Sequence, residues 1–228
     1  MNNEIKPMKN LLKFVTRINL KTIRFNFKYF PFKTAIKFPV LISNNVFLHQ
    51  MKGRVIINGP IRTALVQIGY GKIGIADFKR SRAIWEVHGD VIFNGRAFIM
   101  HGCKLNVSKG AQLIFGNDFN MSTECAIVAA KKIEIGNHSG ISWESLVMDT
   151  DFHHIADETG TVFNHPKEII IGDNVWVACK CTILKGAVIP NGCVVAANSM
   201  ITKPLAGENN IFGGNPLRVL KSGISWWY

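Results

Sequence analysis

The stretch Ile171-Gly-Asp-Asn-Val-Trp-Val177-Ala-Cys-Lys-Cys-Thr-Ile183-Leu-Lys-Gly-Ala-Val-Ile189-Pro-Asn-Gly-Cys-Val-Val195-Ala-Ala-Asn-Ser-Met-Ile201 sets an aliphatic residue at every sixth position without a break. Four residues after each of the first five stands a smaller or β-branched one: Val175, Cys181, Ala187, Cys193 and Ser199. A period of six matches neither the turn of an α-helix nor the two-residue alternation of a long strand. It suits short strands joined by tight corners, with one large and one small side chain per hexad turned into a narrow parallel β-coil.

Upstream the metre is fainter. Val91, Ala97, Cys103, Lys109, Phe115, Met121 and Ile127 lie six apart, with Val107, Leu113, Phe119 and Cys125 at the plus-four places. Lys109 is a solvent residue at an inward place, so a corner or bulge is expected there. After Ile127 the register slips by two residues, resumes at Ile135, Ile141 and Val147, and stops until Ile171. A repeat that breaks once, around polar residues and histidines, has room for a functional loop. Asp173-Asn174, Asn191-Gly192 and Asn137 are suited to corners that require positive φ.

The chain has 228 residues, 47% of them hydrophobic, enough for a sizeable core in one elongated domain. The expected organisation is a basic N-terminal cap or interfacial segment over 1–60, a coil over 61–205 with its active-site loop at 149–168, and a C-terminal extension over 206–228. No apolar run approaches the ~18–20 residues needed to span a bilayer, and the first residues lack a signal peptide's pattern. A cytoplasmic location is expected. Five cysteines, an odd count, agree with a reducing compartment. Cys125, Cys181 and Cys193 fall on small inward places, which favours packing over metal or redox chemistry for Cys179-Lys-Cys181.

The net charge of +12 is concentrated at the front, where Lys6, Lys9, Lys13, Arg17, Lys21, Arg24, Lys28, Lys33 and Lys37 face the single acid Glu4. Between Lys6 and Lys28 the basic residues recur every three or four positions, with Leu11, Val15, Ile18 and Phe25 at similar spacing. This is the pattern of a basic amphipathic helix. It can close the open end of the coil or lie on an anionic membrane surface. No nucleic-acid-binding motif accompanies the charge, and no nucleic-acid partner is expected. From Phe25 the text Phe-Asn-Phe-Lys-Tyr-Phe-Pro-Phe alternates as a strand does, and Pro31 opposes a long uninterrupted helix.

The hexad stretch, followed by Thr202-Lys203 and Gly213-Gly-Asn-Pro-Leu-Arg-Val-Leu-Lys221, resembles the C-terminal half of hexapeptide-repeat acyltransferases. The likeness is to the galactoside and maltose acetyltransferase branch and to capsule and exopolysaccharide O-acetyltransferases. Ile141-Ser-Trp-Glu144 and Asp149-Thr-Asp-Phe-His153 are similar to the active-site loop of the latter group. The likeness is strong over about 110–224. It implies an all-β fold, a left-handed parallel β-helix with short terminal additions, assembled as a homotrimer with active sites between subunits. It also implies transfer of an acetyl group from acetyl-CoA to a sugar hydroxyl in surface polysaccharide assembly, without a metal. N-acetylation of an amino sugar or nucleotide sugar is the alternative.

In that family a histidine serves as general base, and the essential position falls on His153, with His154 where the pattern has Pro. An imidazole with a pKa near 6.5 suits that task. Asp149, Asp151 or Glu144 could hold its tautomer, and His165 reads as structural. The coenzyme-binding backbone position falls on Cys179, whose N–H is a candidate oxyanion donor. Ala197 falls beside the pantetheine arm, Thr202 and Lys203 match the family's Thr-Lys pair, Arg218 matches its phosphate-binding arginine, and Lys221 stands where a second arginine is common. Ser122 or Glu124 could face the acceptor, while Ala129-Ala130 replaces a pair of acids and weakens any claim to free galactosides. Trp143 could stack a sugar ring or be a buried anchor, and Trp176 could wall the site. A metal-dependent β-coil enzyme would need three histidines on one interface, and the spacing of His138, His153 and His165 does not match it.

Overall fold

The computed structural model describes residues 17–71 and 73–227. Among the described residues twenty-two short strands wind into three sheets in which, up to the twentieth strand, paired neighbours are three places apart, so the chain visits face A, face B and face C in turn. Among the described residues the strand pairings within the coil are parallel, an antiparallel strand pair, Asn210–Gly213 with Arg218–Ser222, closes the C-terminal end, and an isolated antiparallel bridge joins Ala156 to Val162 in the 149–168 loop. Period-two burial along each strand turns one or two side chains inward per face, as in the pattern buried–intermediate–buried of Phe119–Met121.

The hexads fall where the sequence places them. Ile171, Val177, Ile183, Ile189, Val195 and Ile201 are all buried, as are Val175, Cys181, Ala187 and Cys193. Lys109 sits in a turn between the strands Lys104–Val107 and Gln112–Phe115, the corner its charge requires. Left-handed backbone occurs at Asn174, Gly192 and His138; at the third corner it falls on His138 and not on Asn137. Asn137 instead joins a side-chain ladder up the corner between faces C and A. The N–H of Asn117 donates to Asn137 Oδ1 (2.8 Å), that of Asn137 to Asp173 Oδ1 (2.6 Å) and that of Asp173 to Asn191 Oδ1 (2.8 Å).

Three expectations are corrected. The coil begins at Val40 and not at residue 61: strands Val40–Ile42, Val46–Met51 and Arg54–Ile57 form its first turn. The coil is interrupted twice, because the described residues 71 and 73–82 lie outside its strands, between Val66–Tyr70 and Ala83–Val87, in addition to 149–168. Phe25 to Tyr29 is helical. Helix α1 (Leu20–Tyr29) is capped by Asn19, whose side chain accepts from the N–H groups of Lys21 and Thr22. Helix α2 (Phe32–Ala35) follows Pro31. Thr22, Phe25, Asn26 and Tyr29 share one face of α1, and the spacing of that set overrides the alternation read in the text.

That face plugs the open end of the coil. Asn26 Nδ2 donates to Val40 O (2.7 Å) while Asn26 Oδ1 accepts from Val40 N–H (3.2 Å). Thr22 Oγ1 makes the same exchange with Ile42, donating at 3.1 Å and accepting at 2.9 Å. Two side chains thus imitate a neighbouring strand and satisfy an edge that would otherwise invite pairing. Phe25 is fully buried against Trp85 (centroids 5.0 Å, edge-on), and Trp85 Nε1 donates to Tyr29 Oη at 3.1 Å. Helices α1 and α2 thus lie over this end of the coil, and residues 1–16, part of the basic segment expected over 1–60, lie outside the described part.

Candidate active site

The loop leaves face B after strand Leu146–Met148 and rejoins face C at Ile169–Ile171. Its exit is fixed by Asp149, which is fully buried and accepts from the N–H groups of Ala130 (2.6 Å), Lys131 and Lys132 (both 2.8 Å). Its carbonyl accepts from Lys167 N–H at 3.1 Å, which draws the two ends of the loop together. Asp149 is therefore an anchor and not the imidazole's partner. Glu144 pairs with Lys180 at 3.5 Å on a corner and does not serve it either.

The first turn of the loop is held by Asp151. Its carboxylate pairs with Lys185 Nζ and accepts from Asn164 Nδ2 at 2.9 Å, and these two contacts hold the carboxyl below its ordinary range. Asn164 is buried; the same Nδ2 also donates to the carbonyl of His153 (2.8 Å), and its Oδ1 accepts from Ile155 N–H (2.6 Å). Lys185 Nζ additionally donates to Asn164 O at 2.8 Å. The backbone on both sides of His153 is thus pinned to the coil. His153 itself is exposed, with Nδ1 3.2 Å from Asp151 O. A carbonyl oxygen can only accept, so this contact places the proton on Nδ1 and leaves the Nε2 lone pair open. Asp151 sets the tautomer through its main chain, while its carboxylate holds the loop. His154 and His165 are exposed. His138 lies on the corner beside Asp118 (3.6 Å), and among the described residues no three metal-binding groups gather.

Cys179 and Ala197 occupy equivalent places on the corner between faces A and B in successive coils, and Asn198 N–H donates to Cys179 O at 3.0 Å. The N–H groups of Cys179 and Ala197 donate to no atom among the described residues. Thr202 and Lys203 line a cleft of about 260 Å³ with Met200 and the turn Asn215-Pro216-Leu217, beside which Arg218 begins the last strand. Arg218 and Lys221 are three apart and would point to opposite sides of a regular strand. An irregularity in the register gives them Gly213 and Ile211 as partners, two residues apart, and so sets both cations on one face.

A second cleft, of about 250 Å³, opens on face A where Gly140 lies between Asn120 and Trp176 in register. The missing side chain makes a notch flanked by an amide and an indole, with Ser122, Ser142 and Trp143 along it. Asn120 Oδ1 is buried without a partner among the described residues, and Trp176 Nε1 donates to Ser142 Oγ at 2.9 Å. Ile73, from the second excursion, closes one side. Of the two acceptor-facing candidates Ser122 lies in this cleft, whereas Glu124 turns to Lys104 (3.5 Å). No hydrogen bond or ion pair joins the His153 loop to the Cys179 corner among the described residues. Lys185, Asn164 and Ile73 are the residues that sequence reasoning missed.

No protein-family model matches the chain. Among curated proteins it is 34% identical over 125 residues to the polysialic acid O-acetyltransferase of Neisseria meningitidis, covering 54% of this chain and 55% of that protein. It is 25% identical over 131 residues to the putative lipopolysaccharide biosynthesis O-acetyl transferase WbbJ of Escherichia coli K12, covering 53% and 65%. The chain thus spans between about half and two thirds of the length of these relatives. Among solved structures it superposes on the polysialic acid-specific acetyltransferase NeuO with a TM-score of 0.62 at 21% identity, over 83% of this chain and 79% of that one, a likeness of fold.

Proposed function

We infer that this relative of the sugar O-acetyltransferases moves an acetyl group from acetyl-CoA to a sugar hydroxyl in surface polysaccharide assembly. The observation that carries the reading is the placement of His153, exposed on a loop whose backbone is pinned by Asp151, Asn164 and Lys185. Nε2 takes the hydroxyl proton as the oxygen attacks the thioester carbonyl. The N–H of Cys179 meets the developing oxyanion, and collapse of that centre releases the coenzyme thiolate, which regains a proton from the imidazolium. Proton removal of this kind contributes roughly 10²- to 10⁴-fold.

The donor lies along the regular coils, its pantetheine arm beside Ala197 and its phosphates near Thr202, Lys203, Arg218 and Lys221. Arg218 offers a planar fork and Lys221 a point charge. The coil is left-handed and three chains form a trimer. As the resemblance implies, the active sites are completed between subunits. The sugar acceptor occupies the Gly140 notch, where Trp143 and Trp176 offer aromatic walls. The protein is cytoplasmic and touches an anionic membrane peripherally through its basic N-terminal part.

Mass spectrometry of candidate glycans after incubation with acetyl-CoA tests this reading. A gain of one acetyl group, removed by mild alkali, is the expected result. An alkali-stable acetyl would shift the reaction to an amino group, and no gain with any glycan would remove it.

A further inference from the structure

The outward side of the cap carries a surface that the chemistry at His153 does not use. Leu20, Ile23 and Phe27 follow one another at helical spacing on the face of α1 opposite Phe25, and Arg24 and Lys28 form a parallel stripe beside them. Leu20 is 83% exposed, Phe27 45% and Phe32 69%. The rings of Phe27 and Phe32 lie 6.0 Å apart, which carries the apolar stripe across to α2. Arg24, Lys28 and Lys52 border a cleft of about 340 Å³ between α1 and strand Val46–Met51. None of these three cations has a salt-bridge partner among the described residues, and the sequence has no Asp or Glu between Glu4 and Asp77.

Large exposed apolar side chains in one stripe, edged by charge of one sign, mark an interface. A self-complementary contact with a second copy would press the same unpaired cations together. An anionic lipid surface satisfies both stripes at once: aromatic and aliphatic side chains enter the headgroup–acyl boundary to a depth of ~5–10 Å, and phosphates meet the cations. We propose that the cap is a lipid-docking surface, with α1 lying in the plane of an anionic membrane, Leu20, Ile23, Phe27 and Phe32 inserted, and headgroup phosphates held by Arg24, Lys28 and Lys52. This deepens the peripheral-membrane part of the proposed function and rests on it, and it does not rest on acetyl transfer.

Flotation with phosphatidylglycerol–phosphatidylcholine vesicles, and with phosphatidylcholine alone, tests the proposal on the full chain. The variants are Phe27→Ser with Phe32→Ser, Arg24→Gln with Lys28→Gln, and a deletion of residues 1–16. All four substituted side chains lie outside the core, so melting temperatures are expected to stay at the wild-type value. The wild type should float with the anionic vesicles only and be released by salt. The Arg24/Lys28 pair should lose about thirtyfold in partition, the equivalent of ~1 kcal/mol per cation near a charged leaflet, and the Phe pair at least about tenfold. Wild-type flotation of both pairs, with loss confined to the 1–16 deletion, would refute this surface and leave the peripheral reading standing. Absence of flotation by the wild type would refute both. A change in oligomeric mass in the Phe variant without a change in flotation would assign the stripe to contact between copies and refute the proposal.

Discussion

The coils after Ile169 and those before Met121 share three faces but not a gauge. In the later part Thr182 lies against Met200, eighteen residues on, three hexads to the turn; in the earlier part Phe98 lies against Asn120, twenty-two residues on. The narrow coils are filled by Ile, Val, Ala and Cys, and the wide ones by Trp85, Phe93, Phe115, Phe119 and Met121. Phe93, Phe115 and Phe119 stack in sequence with centroids 5.2 and 4.8 Å apart. Where the interior admits one large and one small side chain per face, the sequence must keep strict time; where aromatics hold the walls apart, a turn can take extra residues at its corners. The difference separates a regular wall from an end that accommodates the cap and the excursion that includes residues 73–82.

The sharpest way to break the comparison is at the two interiors. Trp85→Ala, which also removes the partner of Phe25 and Tyr29, is expected to cost about 3–5 kcal/mol. Ala187→Leu, an enlargement in the narrow part, is expected to cost about 1–3 kcal/mol. Urea unfolding midpoints measure both, and a neutral Ala187→Leu would show that the narrow coil is not closely packed.

On the donor side, Arg218→Ser should raise KM for acetyl-CoA about tenfold with kcat retained, because a charge-assisted contact is lost from binding and not from the reacting centre. Steady-state kinetics would reveal a kcat effect instead if Arg218 acted at the thioester. The cysteines offer a finer probe. Burial raises the thiols of Cys103, Cys181 and Cys193 above their ordinary range, and Cys125 is fully buried. A thiol reagent at neutral pH should label Cys179 first and leave the other four protected in the folded protein. Fast labelling of more than one thiol would mean that the core opens readily.

The smallest effect is expected at Lys185. The Asp151 carboxyl is held low by Lys185 and Asn164, so its contribution to loop order is complete above the unfolded carboxylate pKa of ~3.9 and is lost as pH falls through the lower folded value. Lys185→Met removes the main cause and should move the onset of loop opening to higher pH. Because the pair is partly exposed and screened by solvent, the change is small, seen as an up to several-fold loss of hydrogen-exchange protection at Ile155 N–H. Equal protection in both proteins would leave Asn164 as the loop's sufficient anchor.

The unbroken hexads made the later coils legible, and the lapse after Val147 made the loop visible. The excursion that includes residues 73–82 was not, because the metre is traced only from Val91 onward and nothing before it marks a gap. Phe25 to Tyr29 read as a strand because text alternation does not record that Thr22 and Asn26 would find a strand edge to bond. His153 was reached through the resemblance of its loop. Its tautomer was not reachable that way, since the deciding acceptor is a main-chain carbonyl. Asn164 and Lys185 meet Asp151 only because the loop returns to the coil, a contact across 13 and 34 positions that no local pattern announces.

The central claim is that the interrupted coil carries the chemistry and the regular coils carry the donor. Acetyl-CoA binding and coenzyme release measured together on His153→Asn test it most directly. The account predicts donor affinity within about twofold of the wild type and turnover lower by roughly 10²- to 10⁴-fold. Wild-type turnover by His153→Asn across a panel of acceptors would contradict it.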